Sequence, residues 1–455
     1  MTDTEAAYDL SLTNGGGVMA EQAAASHDQP VFVTEAEALV PVNDYPSHMA
    51  DIPPSRMFLI KKGLAAYRET HPDSPVYDAS QGDGGASLPG VPAEILERAA
   101  ALQIEHGTGY DMPYGTDLFR RAVVEDYWQF DSDTGLGPAN VLAAVGGRDA
   151  LLKAYSAMLS LGHGRIGDVV VVSRVPWISY NWGPYGVGAN VLLAPGHPDD
   201  GWAYTPDSIR ACCEYAEQAG RKVAGLVITC PDNPTGNTIP VERQIELARA
   251  ALASGVAFVL FDWIYHYVTD EQPMDLNAFI KQFTPEERER LIFLDGITKS
   301  LGGSNIRNAH LIAPEKVIKF IQARASHGVI PPFYAQAVAI AAYEMGYGKA
   351  AATIIQPTNE SRAVLRDLLE EHGFNYILGK GYYAFIDVGH WLRAAGLPDS
   401  AELGKYLAEQ WGVAIVPGVY FSRYGADWVR FSYATPSERT RGAFERLVAG
   451  LDALL

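Results

Sequence analysis

Residues 225–265 read GLVITCPDNPTGNTIPVERQIELARAALASGVAFVLFDWIY. Two apolar runs, 225–229 and 257–262, flank a turn rich in Pro, Asn and Gly and an amphipathic stretch of helical length, 241–254. Neither run alternates polar with apolar residues, which is how a strand covered on both faces reads. Strand, helix, strand in that order is the crossover unit of a parallel sheet. The same rhythm continues on both sides. Strands are expected at 141–145, 168–173, 190–193 and 291–295, and helices at 150–161 and 206–219. The spacing therefore predicts an α/β domain with helices on both faces of a mostly parallel sheet.

Beyond residue 310 the pattern changes. A long helical stretch, 331–352 and on through 360–372, precedes short strands at 382–388, 413–416 and 429–432, and a helix follows at 437–455. Helices mixed with short strands predict a smaller α+β domain. The expected division is an N-terminal tail and arm over 1–50, the N-terminal part of the small domain over 51–90, a large domain over 91–350 and the C-terminal small domain over 351–455.

Composition bounds the function. The chain has 455 residues, 48% hydrophobic and 20% charged, as in an ordinary globular protein. The charge sum is 35 − 54 = −19, so the surface repels nucleic acid and anionic membranes. Cys212, Cys213 and Cys230 form neither a disulfide framework nor a zinc spacing. With no basic residue before Arg56 and no apolar run of membrane length, the reading is a cytoplasmic protein.

Gly162-His163-Gly164-Arg165-Ile166-Gly167 matches G-x-G-x-x-G, but it follows a predicted helix and precedes a strand. A dinucleotide site needs the reverse order, so a helix-to-strand turn is expected there.

Chemistry gathers instead at the ends of the predicted strands, where open parallel sheets bind ligands. Gly146-Gly147-Arg148 opens a helix, a position suited to an anion. Asn233 stands in a stiff Pro-containing turn and offers an amide. Asp262 closes an apolar strand, where a carboxylate is costly unless paired. Lys299 follows another apolar strand, where partial burial makes an amine nucleophilic. Arg307 lies beyond a glycine loop and suits a phosphate. Trp177 is able to stack on a planar ring, and Arg430 interrupts a small-domain strand. Taken singly, each has an ordinary reading as a turn, a cap or a surface residue. Together they suit one ligand: a flat cationic heteroaromatic ring with a phenolic oxygen, an aldehyde and a phosphate, as in pyridoxal 5′-phosphate.

Asn233-Pro-Thr-Gly, Asp262-x-x-Tyr265, Lys299-x7-Arg307, Arg430-x-x-x-Ala434, Tyr110-x4-Gly115 and Leu118-x-Arg120 occur in the order and spacing of a known family. From about residue 75 to the C-terminus the chain resembles the class I/II aminotransferases of the fold-type I pyridoxal-phosphate superfamily. The resemblance implies a large domain built on a mostly parallel seven-stranded sheet, a smaller α+β domain, and transfer of the α-amino group of an L-amino acid to a 2-oxo acid. It implies a Schiff base on Lys299, Asp262 on the pyridine nitrogen, and Tyr265 and Asn233 on the ring oxygen. It implies Gly146, Gly147, Arg148 and Arg307 around the phosphate, Trp177 stacked on the ring, and Arg430, Asn233 and Gly82 at the substrate carboxylate. Tyr110 would reach the phosphate of a neighbouring subunit, so the resemblance implies a homodimer with shared active sites.

The chain departs from the family pattern at two points. Gly296 stands where many relatives place a phosphate-binding serine, three residues before the lysine. An ungapped match puts Ala325, with Arg324 beside it, where dicarboxylate-specific members carry a distal arginine. Aromatic residues such as Tyr180, Trp182 and Phe333 leave an aromatic or aliphatic substrate side chain open. Lyase, decarboxylase and oxidase reactions run on the same scaffold and are the alternative. Regulators that retain the fold carry a basic DNA-binding domain, whereas the first 55 residues here hold no Lys or Arg.

Overall fold

Val169–Val172 is four valines in a row, each buried, and β-branched side chains packed on both faces leave extended backbone as the favoured state. This strand lies near one edge of the central sheet in the computed structural model, which describes residues 27–33, 52–268 and 273–455. The sheet has eight strands in the order Val31–Phe32, Asn190–Leu193, Val169–Val172, Val223–Thr229, Phe258–Asp262, Leu291–Asp295, Ala309–Ile312 and Val141–Ala144. The five from Asn190–Leu193 to Leu291–Asp295 run parallel, and Ala309–Ile312 is antiparallel to both of its neighbours. Seven strands form the expected sheet. The eighth, Val31–Phe32, pairs antiparallel with Asn190–Leu193 at the edge.

That short strand belongs to the segment read as tail and arm, of which only residues 27–33 are among the described residues. Its approach is tied down by Arg174, which is fully buried. The guanidinium lies 4.5 Å over the Tyr424 ring and donates through Nη2 to His27 O at 2.9 Å and to Gln29 O.

Helices cover both faces of the sheet. Pro206–Gln218 starts at Thr205, whose hydroxyl accepts from Ser208 N–H while Ser208 Oγ accepts from Thr205 N–H, so two of the free amides of the helix start are satisfied. Gly162–Gly167 connects helix Gly147–Leu161 to strand Val169–Val172, as its sequence context required.

The small domain holds an antiparallel sheet ordered Tyr376–Leu378, Tyr383–Asp387, Trp428–Ser432, Val416–Pro417. Beside it Val413–Ala414 pairs in parallel with Tyr77–Asp78, and helix Met57–Thr70 packs on Ser400–Trp411. The single strand expected over 413–416 is thus divided between two sheets. The long helical stretch is two helices, Phe333–Glu344 and Tyr347–Glu371, turning at Met345-Gly346; the second crosses residue 350 and joins the two domains. Strands Ala309–Ile312 and Tyr376–Leu378 were not foreseen. The first carries a histidine, His310, among its apolar residues, and the second, at three residues, is too short for periodicity to show. No helix among the described residues is long and apolar enough to cross a membrane.

Candidate active site

The carboxyl ends of the parallel strands open into a cavity of about 630 Å³, within the range of small-ligand sites. Gly82, Gly147, Arg148, Trp177, Asn233, Asp262, Tyr265, Lys299, Arg307 and Arg430 all line it. Tyr110 does not; it is fully exposed, outside the cavity of its own chain.

Asp262 ends strand Phe258–Asp262 and is 3% exposed. Its Oδ2 accepts from the Tyr180 hydroxyl at 2.6 Å and its Oδ1 from Ile264 N–H at 3.1 Å. Burial pushes the carboxyl up to about 6, against the pull of those donors and of Lys299. A buried carboxylate in that condition is stabilised by a cation at its free lone pairs. Lys299 sits in the short helix Ile297–Ser300 and reaches the cavity, where Nζ donates to Gly82 O and lies 5.6 Å from the Tyr265 ring centroid. Burial holds its ammonium below the ordinary lysine range; Tyr383 and Asp83 oppose this, while Arg430 and Arg148 add to it. Tyr265 and Tyr383 share a hydrogen bond between their hydroxyls at 3.0 Å.

Arg430, 3% exposed, stands on the central strand Trp428–Ser432. Nη1 donates to Asn233 Oδ1 at 2.7 Å and Nη2 to Ser80 O at 2.9 Å, and the guanidinium lies 4.1 Å over the Tyr383 ring. Committing Asn233 Oδ1 to Arg430 leaves the amide nitrogen of Asn233 free to donate into the cavity. Arg430 Nε is buried without a partner, so the guanidinium keeps donors for a further acceptor.

At the opposite end, Arg307 donates to Ser304 O at 2.8 Å and to Val145 O at 3.2 Å. Arg148 lies 5.4 Å over the Trp177 ring; burial lowers its guanidinium, and the charge of Arg307 lowers it further. Neither arginine pairs with a carboxylate among the described residues. Two neighbouring guanidiniums without a counter-ion, beside the N-terminus of helix Gly147–Leu161, make a dianion site. Gly146 enters that helix at φ +79°, and a Cβ there would lie 2.3 Å from Arg307 Nη2. Only glycine allows the arginine to cross so near the backbone.

Gly296 has its own structural reason. A Cβ at this position would lie 2.7 Å from Ala309 Cα and 2.8 Å from Asn308 O, so no serine fits the backbone as it runs. Ala325 is buried at the end of helix Glu315–Ala325, and Arg324 folds over the Phe320 ring; neither lines the cavity. Of the aromatic residues considered for the substrate side chain, Tyr180 lines the cavity, but Trp182 packs on Tyr185 and Phe333 stacks on His106.

The reading by sequence passed over Ser55, Met57, Asp83, Thr298, Tyr383 and Phe421, all of which line the cavity. It also missed the bond from Tyr180 to Asp262. The only available signal was position, three residues after Trp177 in the helix Ile178–Trp182.

A carboxylate awaiting a cation, an amine of lowered basicity, an unpaired arginine couple and an arginine with a spare donor fit pyridoxal phosphate with an amino acid above it. Residues 79–447 match the family model described as aminotransferase class I and II. The chain is 28% identical over 369 residues to an aspartate aminotransferase of Geobacillus stearothermophilus, covering 80% of this chain and 88% of that one. It is 28% identical over 366 residues to an aspartate/prephenate aminotransferase of Thermus thermophilus, covering 78% and 86%. A solved aspartate aminotransferase from Thermus thermophilus with maleate superposes with a TM-score of 0.74 at 24% identity, over 89% of this chain and 98% of that one. An aminotransferase from Mycobacterium tuberculosis gives 0.75 at 24%, with the same coverage. The chain belongs to the class I and II aminotransferases, the pyridoxal-phosphate-dependent aminotransferases of fold type I.

Proposed function

We propose that the chain transfers the α-amino group of an L-amino acid to a 2-oxo acid in this cavity, with Lys299, Asp262 and Arg430 as its principal groups. The observation that carries the reading is their convergence, from one strand in each of two sheets and a short helix, on one cavity. Pyridoxal phosphate, when bound, supplies an aldehyde for the amine and a ring that draws electrons from the substrate Cα.

The protein supplies position and charge. Asp262, fixed by Tyr180 and Ile264, would hold a proton on the ring nitrogen. Asn233 and Tyr265 would donate to the ring oxygen, Trp177 would stack on the ring, and Arg148, Arg307 and the Gly146-Gly147 backbone would hold the phosphate. Arg430 grips the α-carboxylate with its remaining N–H groups beside Gly82, which fixes the Cα–H bond relative to Lys299. Lys299 Nζ, below its ordinary basicity through burial, would take that proton from Cα and deliver it to the carbon that carried the cofactor's aldehyde. The cavity lining includes Met57, Ile178 and Phe421, the last with its ring centroid 5.1 Å from the Arg430 guanidinium, and these favour a neutral, apolar or aromatic substrate side chain over a second carboxylate.

We place the active unit as a homodimer in the cytoplasm. Tyr110 stands out from the surface with Ile104, Met112 and Leu118 also exposed, a set of apolar groups suited to a second copy. The cysteines Cys212, Cys213 and Cys230 are all free, in keeping with a reducing compartment.

The test is an absorbance titration of the purified holoenzyme with single L-amino acids, followed by a 2-oxo acid. The expected result is bleaching of the visible cofactor band by the correct donor and its recovery with the acceptor. Neutral donors should act better than aspartate. Lys299→Ala is expected to abolish turnover; transamination surviving in that variant would overturn the assignment.

A further inference from the structure

Behind Asp262, the bond from Tyr180 continues into a longer line of hydrogen bonds. Thr229, the last residue of strand Val223–Thr229, donates through Oγ1 to the Tyr180 hydroxyl at 2.9 Å. Tyr180 in turn donates to Asp262 Oδ2 at 2.6 Å. A phenol has one proton to give. With its oxygen accepting from Thr229, that proton is directed to Asp262. Burial holds the phenol well above the usual tyrosine range, so it remains a donor at neutral pH.

At the far end of this line lies a second, small cavity of about 40 Å³, walled in part by Tyr180, Trp202, Thr229 and Asp232. Trp202 is 1% exposed, and its indole Nε1 has no hydrogen-bond partner. Of the other polar groups of this wall, Tyr204 donates to Val227 O at 2.7 Å, and Asp232 accepts from Thr235 Oγ1 at 2.5 Å. A space of this size with polar walls accommodates a water. A buried N–H is ordinarily satisfied in that way.

We infer that Thr229 is a positioning residue for the reaction. With a water held in this cavity it forms a one-way chain of donors, Trp202 to water to Thr229 to Tyr180 to Asp262, that keeps Asp262 an acceptor towards the cofactor's ring nitrogen. The inference rests on the reading of Asp262 as the partner of that nitrogen.

Other charged and titratable groups face Asp262. Tyr155 comes from helix Gly147–Leu161, Asp295 from the adjacent strand, Lys299 from the following turn, and Asp232 from beyond strand Val223–Thr229. None of them supplies a hydrogen bond to Asp262; Tyr180 and the Ile264 amide do. Losing the Thr229 hydroxyl weakens Tyr180 as a donor, makes Asp262 the stronger base, and moves the shared proton from the ring towards the carboxylate.

The experiment is ¹⁵N NMR of the holoenzyme reconstituted with pyridoxal phosphate labelled at the ring nitrogen. Wild type and Thr229→Ser are expected to give the signal of a protonated ring. In Thr229→Val the signal is expected to move towards the unprotonated value, by about threefold in the proton-sharing equilibrium. Trp202→Phe, which keeps an aromatic ring and removes the N–H, should move it the same way and decides the matter should Thr229→Val not fold. An unchanged signal in the valine and phenylalanine variants, with wild type protonated, overturns the donor chain and leaves the role of Asp262 standing. An unprotonated ring in wild type overturns both.

Discussion

Asp262→Asn should stabilise the cofactor-free protein while destroying its function. The buried carboxyl is displaced from its ordinary value of 3.8 up to about 6, chiefly by burial. The folded cofactor-free state therefore binds a proton more tightly than the unfolded state does. Stability then falls as pH rises through the interval from about 4 to about 6, and levels off above it. The full cost of keeping this group ionised in the fold is about 3 kcal/mol, of which about half develops between pH 5 and pH 8. An asparagine does not titrate, so the variant escapes this slope. It does lose one of two acceptors, since Tyr180 and Ile264 N–H each donate to a different oxygen, at a cost of about 1 kcal/mol that does not depend on pH. Asp232, also pushed up to about 6 and chiefly by burial, is present in both proteins; only the last of its causes, the charge of Asp262, differs between them. The assay is urea denaturation of both cofactor-free proteins at pH 5, 6, 7 and 8. The variant should gain on wild type by about 1.5 kcal/mol across that range. Pyridoxal phosphate should reverse the order, because a ring N–H repays wild type alone. A stability difference that stays constant with pH would refute the reasoning.

Three further outcomes follow from the geometry. Gly296→Ser, although it restores a hydroxyl common in the family, should destabilise the protein by about 1–3 kcal/mol in the same denaturation assay, because its Cβ meets the backbone of Asn308 and Ala309. Arg430→Lys should lower kcat/KM by about 10- to 100-fold with a raised KM for both amino and oxo acids in steady-state kinetics, since an ammonium lacks the fork that serves Asn233, Ser80 and a carboxylate together. Gly146→Ala should weaken pyridoxal phosphate by about tenfold or more in equilibrium dialysis while leaving pyridoxal little affected, because the added carbon displaces Arg307 from the phosphate end.

Asn233, Asp262, Lys299 and Arg307 were legible because each stands at the end of an apolar strand, or in the loop beyond it, where a polar group needs a reason. Arg430 was legible because it interrupts a strand. The parallel part of the sheet was legible for a related cause, its strands being apolar throughout. Tyr180 was not. It sits among Trp177, Trp182 and Tyr185, and nothing local separates the phenol that touches Asp262 from those that pack. Ser55 and Met57 belong to a segment far from the strands in sequence, and only the small domain's packing brings them to the cavity. Ala309–Ile312 was hidden by His310, whose imidazole is buried and held by Trp128 Nε1 at 2.9 Å. The expected sheet also stopped one strand early, because Val31–Phe32 pairs only through its backbone with a strand about 160 residues away.

That last strand bears on how the protein behaves in a concentrated solution. Asn190–Leu193 would otherwise end the sheet with a row of unpaired amides and carbonyls, a template for the strand of another molecule. Val31–Phe32 occupies it, and at two residues is itself too short to recruit a further strand. Trimming the chain past Val33 would therefore create an adhesive edge. It would also strip the buried Arg174 guanidinium of the carbonyls of His27 and Gln29. Fusions and affinity handles belong ahead of His27 or at the C-terminal helix Ser437–Asp452, where they leave the edge sealed.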